Sequence, residues 1–253
     1  MAAVASARRI RGEGNAAEAE WQDWLAELQP PALAASELLT ATQRLVVVSP
    51  HPDDEVLACG GLIALHAQRG GSTAIVAVTD GEASHCGDPA WPATKLSGER
   101  REERQRGLVR LGIPANSVAR LALADSQVAA QRGVLKCGLQ RVLRSTDCVV
   151  STWHLDGHPD HDATGAETAR VCAEVGCRLV EAPVWMWHWS TPADPRVPWH
   201  RLRALALPPW AMGRKAAALA EHVTQLGARA HGAPVLGPAI LTRAARTAEY
   251  FFL

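Results

Sequence analysis

A surplus of either charge is missing: 26 lysines and arginines balance 26 aspartates and glutamates, so the formal net charge is zero. Phosphate backbones are bound through a basic surplus or a basic stripe, and the balance argues against a nucleic-acid partner. The one basic run, Arg100-Arg101 to Arg106, is interleaved with Glu99, Glu102 and Glu103 and reads as a mixed-sign helix face. No apolar run approaches the roughly 20 residues that span a bilayer. Met1 to Gly14 carries Arg8, Arg9 and Arg11 without an apolar stretch behind them, so no secretory signal is expected. Cysteine is sparse. Cys59, Cys86, Cys137, Cys148, Cys172 and Cys177 form no CxxC pair and no dense framework, which in a chain this long points to reduced thiols and a cytoplasmic protein. Internal repeats are lacking as well.

What is present is an alternation. Leu45-Val46-Val47-Val48 is a short β-branched run between polar residues, as suits a buried parallel strand. A helix is expected from about Leu57 to Gln68, stopped by Gly70-Gly71. Strand and helix then recur: Ala74 to Val78, Gly98 to Leu111, Val118 to Leu123, Val128 to Leu143, Cys148 to Ser151, Ala163 to Val175, Arg178 to Ala182. Such alternation predicts an α/β fold: a Rossmann-like, doubly wound, mostly parallel sheet with helices on both faces. The 253 residues read as a single domain. Residues 1–43 form an N-terminal helical arm around Trp21, Trp24, Leu25 and Leu28, stopped by Pro30-Pro31. Residues 44–183 form the α/β core, and 184–253 a less regular C-terminal segment with a helix from about Gly213 to Leu226.

Two histidine–aspartate clusters follow the first and fourth strands: His51-Pro52-Asp53-Asp54 and His158-Pro159-Asp160-His161. Either alone would pass as loop residues, since Asp and Pro favour turns. In open α/β sheets, ligands bind beyond the carboxyl ends of strands where strand order reverses. In the order 3-2-1-4-5, strands one and four are neighbours there, so both clusters would meet in one crevice. Two imidazoles and a carboxylate around an open position make a hydrolytic zinc site. His51, Asp54 and His161 fit those roles, with Asp53 and His158 left for acid–base work.

Ser49-Pro50-His51-Pro52-Asp53-Asp54-Glu55 followed by Gly157-His158-Pro159-Asp160-His161 resembles the LmbE-like, or PIG-L, deacetylase family. The likeness extends over roughly residues 44–183. Val78-Thr79-Asp80-Gly81-Glu82, Arg100-Arg101-Glu102-Glu103 with Leu111-Gly112, and Leu123-Ala124-Asp125 are similar to motifs between the two clusters. The resemblance implies a Zn2+-dependent hydrolase, one ion per chain with other divalent ions tolerated. It would remove the N-acetyl group from an N-acetylglucosamine-type conjugate, a small amino-sugar substrate, and a homo-oligomer is compatible with it. It implies His51, Asp54 and His161 as metal ligands and Asp53 as general base. His158 would stabilise the tetrahedral oxyanion, protonated in that role, with Asp160 orienting it. Arg100 and Asp125 would hold substrate. At Asp156 the chain departs from the mycothiol-pathway member, which carries a tyrosine there.

Trp185, Trp187 and Trp189 alternate as on one face of an extended strand. They suit either a sugar-stacking platform or the cover of a sheet edge or subunit interface. His222, at helical spacing from Leu219 and Leu226, reads as a core residue, and His85-Cys86 as part of a mobile loop over the cleft. Two alternatives stand beside the hydrolase. Two histidines and one carboxylate also make the facial triad of non-haem Fe(II) oxygenases, normally on an all-β roll. A catalytically inactive glycan-binding member of the same fold is the other.

Overall fold

The computed structural model describes residues 8, 10, 12–230 and 232–253, so most of the Met1–Gly14 stretch, from which no secretory signal is expected, lies outside the described residues. Its centre is β1 (Leu45–Ser49), buried along its whole length. Because side chains alternate across a strand, Val46 and Val48 enter one apolar cluster while Leu45 and Val47 enter another. That two-sided burial is why the run is uniformly apolar. β2 (Thr73–Thr79), β3 (Val118–Leu123), β4 (Cys148–Thr152) and β5 (Arg178–Ala182) continue the sheet in parallel, with Val47 opposite both Ile75 and Val150. The order is β3-β2-β1-β4-β5-β7-β6, in which β6 (Leu202–Ala206) and β7 (Ala248–Phe252) add an antiparallel edge. The chain therefore reverses direction across the sheet between β1 and β4, as the alternation predicts. The antiparallel pair was not legible in the sequence.

Ten helices accompany the strands among the described residues: α1 (Glu18–Leu28), α2 (Ala35–Leu38), α3 (Asp54–Gln68), α4 (Ala93–Leu111), α5 (Arg132–Val142), α6 (Pro159–Val175), α7 (Met186–Trp189), α8 (Pro209–Ala220), α9 (Val223–Leu226) and α10 (Pro238–Ala244). Val56 and Leu62 of α3, Leu108 and Leu111 of α4 and Ala218 of α8 cover one face of the sheet. Leu135 and Leu139 of α5 and Val171 of α6 cover the other. α4 stops at Gly112, whose φ of 89° needs a residue without a Cβ. None of the helices among the described residues is long and apolar enough to cross a membrane.

The amino-terminal arm packs into the fold. Pro30-Pro31 ends α1, and Leu33 N–H donates to Ala204 O while Ala204 N–H donates to Pro31 O, covering the β6 edge. Trp21 is fully buried and meets Trp187 edge-to-face at 5.1 Å. These two, with Leu25, Trp153 and Trp189, form a third apolar cluster.

This corrects the expectation for the tryptophans. Met186 to Trp189 curl into α7 instead of extending, so the alternation does not place the rings on one face. Trp187 turns inward, buried against Trp21 and donating its indole N–H to Pro183 O at 3.2 Å. It cannot serve as a sugar platform. Trp185 alone of the three borders the cleft described below. The helix foreseen from Gly213 to Leu226 is two, broken at Glu221-His222. His222 is buried there, as expected of a core residue.

Candidate active site

The loop leaving β1 carries His51 to Asp54 straight into the start of α3, and the loop leaving β4 carries Asp156 to His161 into α6. Since β1 and β4 are paired neighbours, the two clusters converge. His51 Nδ1 and His161 Nε2 each lie 3.1 Å from Asp54 Oδ2 and 3.3 Å from one another. A tetrahedral ion with ligands about 2.0–2.1 Å away would need donors about 3.3–3.4 Å apart, so this near-equilateral triangle has the size of a divalent-ion site. The chemistry of the set, two imidazoles and one carboxylate, suits the same ion. One ring nitrogen from each of His51, His158 and His161 also lies within 4.8 Å of the other two.

Each imidazole is held from behind. His161 Nδ1 donates to Asp156 Oδ2 at 2.8 Å. His51 Nε2 faces Asp125 Oδ1 at 3.3 Å and Asp160 Oδ2 at 3.4 Å. Carboxylates behind ligating histidines fix ring orientation and raise ligand basicity. Burial works against a charged His161, yet Asp54 and Asp156 outweigh it and raise its pKa to about 9. Burial likewise opposes the charge on His51, and the hydrogen bonds of Asp125, Asp160 and Asp54 raise it well above the usual imidazole value. Such a field attracts a cation of any kind, and an ion entering the triangle would displace protons.

Asp53 is the N-cap of α3 and has φ 132° and ψ −29°, a conformation that L-residues other than glycine rarely adopt. Strain of this kind costs about 1–3 kcal/mol and persists where the surroundings enforce it. Burial, with Asp54 and Glu55 nearby, raises its carboxyl pKa to about 7 against the opposing charges of Arg100 and His51. Arg100 is itself buried; its Nη2 donates to Asp53 Oδ2 at 3.1 Å and to Pro52 O, and its Nη1 to Gly81 O. Asp125 accepts from Ala83 N–H at 2.9 Å besides facing His51, and its backbone N–H is held by Glu82. Arg100 and Asp125 both line the cleft, but each is engaged with the histidine–aspartate groups as well.

Asp160 does not orient His158 through its side chain, which corrects that expectation. Its carboxylate accepts from Ser126 N–H at 2.7 Å and Val128 N–H at 3.2 Å. Instead the Asp160 backbone N–H donates to His158 Nδ1 at 3.3 Å. That leaves the ring proton of neutral His158 on Nε2. Burial and the neighbouring His161 and His51 push the His158 pKa down to about 3, so the ring is neutral rather than protonated.

Asp156, noted in the sequence only where the chain departs from a tyrosine, has a role that sequence reasoning missed. It is fully buried, and besides His161 it accepts the backbone N–H groups of Val184, Trp185 and Met186 at 2.9, 3.0 and 2.9 Å. One carboxylate thus fixes a histidine and winds the start of α7. His85 was flagged for its loop; it is buried against Trp91 and joins no cluster of ligand atoms among the described residues. The converged groups open onto a cleft of about 300 Å³. Trp185 and, beyond α8, Gln225, Arg229, Val235 and Leu236 also line it.

The family described as PIG-L, GlcNAc-PI de-N-acetylase, matches residues 46–172. A 1D-myo-inositol 2-acetamido-2-deoxy-alpha-D-glucopyranoside deacetylase of Tsukamurella paurometabola is 27% identical over 277 residues, covering 84% of this chain and 93% of that protein. Two solved structures share the fold. The A40926 pseudoaglycone deacetylase Dbv21 has a TM-score of 0.60 at 24% identity, over 84% of this chain and 96% of that one. The N,N'-diacetylchitobiose deacetylase of Pyrococcus horikoshii has a TM-score of 0.55 at 21% identity, over 81% and 78%.

Proposed function

Because the chain belongs to the PIG-L family of GlcNAc-PI de-N-acetylases, we propose that it is a zinc-dependent deacetylase that cleaves the acetamide of an N-acetylglucosamine-type conjugate. Acetate and a free amine on an otherwise intact glycoconjugate are the products. The observation that carries this reading is the donor triangle of His51, Asp54 and His161, 3.1–3.3 Å on each edge. Those residues would hold the ion, which supplies an acidified water and a Lewis acid for the acetamide carbonyl.

The remaining work falls to the side chains. Asp53, with a pKa near neutrality, takes the proton of the attacking water and can return it to the departing nitrogen. The Arg100 guanidinium at 3.1 Å holds that carboxylate in place and offsets its charge. Neutral His158 donates its Nε2 proton to the oxyanion that develops as water adds to the carbonyl carbon. The carbon–nitrogen bond then breaks and the nitrogen leaves protonated. Asp125 and Trp185 border the space where the sugar would lie.

The oxygenase alternative has no support here, because the donors sit on a parallel α/β sheet. An inactive member would be expected to have lost ligands, and the triangle is complete. The test is to follow both products by mass across N-acetylglucosaminides bearing inositol, lipid, peptide or antibiotic aglycones. Equimolar acetate and amine are expected from at least one. Cleavage of a glycosidic bond with the acetamide left whole would overturn the reading.

A further inference from the structure

Gln225 lines the cleft but has no part in the chemistry above, although it is fully buried. Its amide nitrogen donates to Thr224 Oγ1 at 2.8 Å. Thr224 in turn gives its hydroxyl proton to Glu103 Oε2 at 2.7 Å and its backbone N–H to Glu103 Oε1 at 2.6 Å. A carboxylate only accepts, so the single hydroxyl proton of Thr224 is committed to Glu103, and Thr224 Oγ1 can only accept from Gln225. This fixes which way the amide points. The nitrogen faces Thr224, and Oε1 is the end that remains, buried and without a donor among the described residues.

Buried acceptors without donors are destabilising and uncommon in folded proteins. Gln225 lines the substrate cleft and its amide is locked by a chain of hydrogen bonds back to α4, so a group pressed against this wall of the cleft is the available source of the missing donor. We propose that Gln225 Oε1 accepts a hydrogen bond from a hydroxyl of the substrate's sugar ring, making Gln225 a specificity-determining residue. The neutral acceptor calls for a neutral donor, and its neighbours in that wall, Val235 and Leu236, contribute apolar surface. The proposal rests on the deacetylase reading, which supplies the sugar.

Gln225→Met keeps the side-chain length and removes the acceptor. Wild type and variant are compared on methyl N-acetylglucosaminide and on its 3-, 4- and 6-deoxy analogues. On the parent glycoside the variant is expected to lose about 10- to 100-fold in kcat/KM, mostly through KM. One deoxy analogue should cost wild type the same factor and cost the variant nothing further. The melting temperature should hold or rise, since an unpaired acceptor has gone. An equal loss on every analogue, or a fall in melting temperature with the loss, would assign Gln225 to structure and overturn the proposal; so would no loss at all. Acetate release by wild type from the parent glycoside tests the deacetylase reading separately. Should none be released, binding of the same four glycosides to both proteins replaces turnover, and absence of the pattern there overturns the proposal.

Discussion

Replacing Asp156 with asparagine tests how far one buried carboxylate holds the candidate site together. Its Oδ1 accepts Val184 and Met186 N–H, and its Oδ2 accepts His161 Nδ1 and Trp185 N–H. Asparagine keeps one acceptor oxygen and turns the other into a donor. Two of the four N–H groups then lose their partner, at about 1–3 kcal/mol for each buried donor left unmade, or about 2–6 kcal/mol together. For a domain of this length that lowers the melting temperature on the order of 10 °C. If the amide nitrogen faces His161, the imidazole proton moves to Nε2, the atom aimed at Asp54, and the ion loses a ligand. Loss of a carboxylate behind a ligating histidine typically costs about 10- to 100-fold in metal affinity. Calorimetric unfolding and a chelator-competition titration with zinc measure the two effects on one preparation. A variant that melts with wild type and binds zinc equally well would refute the reasoning.

Asp53→Asn should leave fold and metal content unchanged while lowering kcat by about 10²–10⁴-fold, and steady-state kinetics beside metal analysis would show it. With Asp53 raised to about 7 by burial, a base that must be ionised makes kcat/KM fall as pH drops. In metal-loaded enzyme the midpoint is expected at or below about 7, because a cation beside Asp54 can only pull it down; a midpoint well above 7 would contradict the assignment. Trp21→Ala should cost about 3–5 kcal/mol, measured by denaturant unfolding, since the ring is fully buried against Trp187. A change under 1 kcal/mol would mean that the arm is dispensable.

The parallel half of the fold was legible because each strand there is a short apolar run ending in turn residues, and two such ends carry the same unusual histidine–aspartate pair. Neighbouring strands at the reversal then bring His51, Asp54 and His161 together without further information. β6 escaped notice because it is an edge strand between Pro198 and Pro208, and β7 because it is only five residues long, too short for local periodicity to mark it. The tryptophan alternation misled for a different reason. The three backbone N–H groups that converge on Asp156 demand a curled chain, and that tertiary contact overrides a period-2 pattern. Asp156 stood out in the sequence only as a departure from tyrosine, and Gln225 only as the end of a His-x-x-Gln segment; neither position carried a legible role. What singles them out is burial and the partners they hold, which only the folded chain displays.

The most direct test of the central claim, that His51, Asp54 and His161 hold the ion on which deacetylation depends, is metal content measured together with acetate release in wild type and Asp54→Ala. Removing the carboxylate leaves two imidazoles 3.3 Å apart with no anion between them. Wild type is expected to hold about one divalent ion per chain and to lose acetate release when that ion is chelated, with recovery on adding zinc. Asp54→Ala should hold far less and release no acetate. Stoichiometric metal in Asp54→Ala, or undiminished acetate release from metal-stripped wild type, would contradict the account.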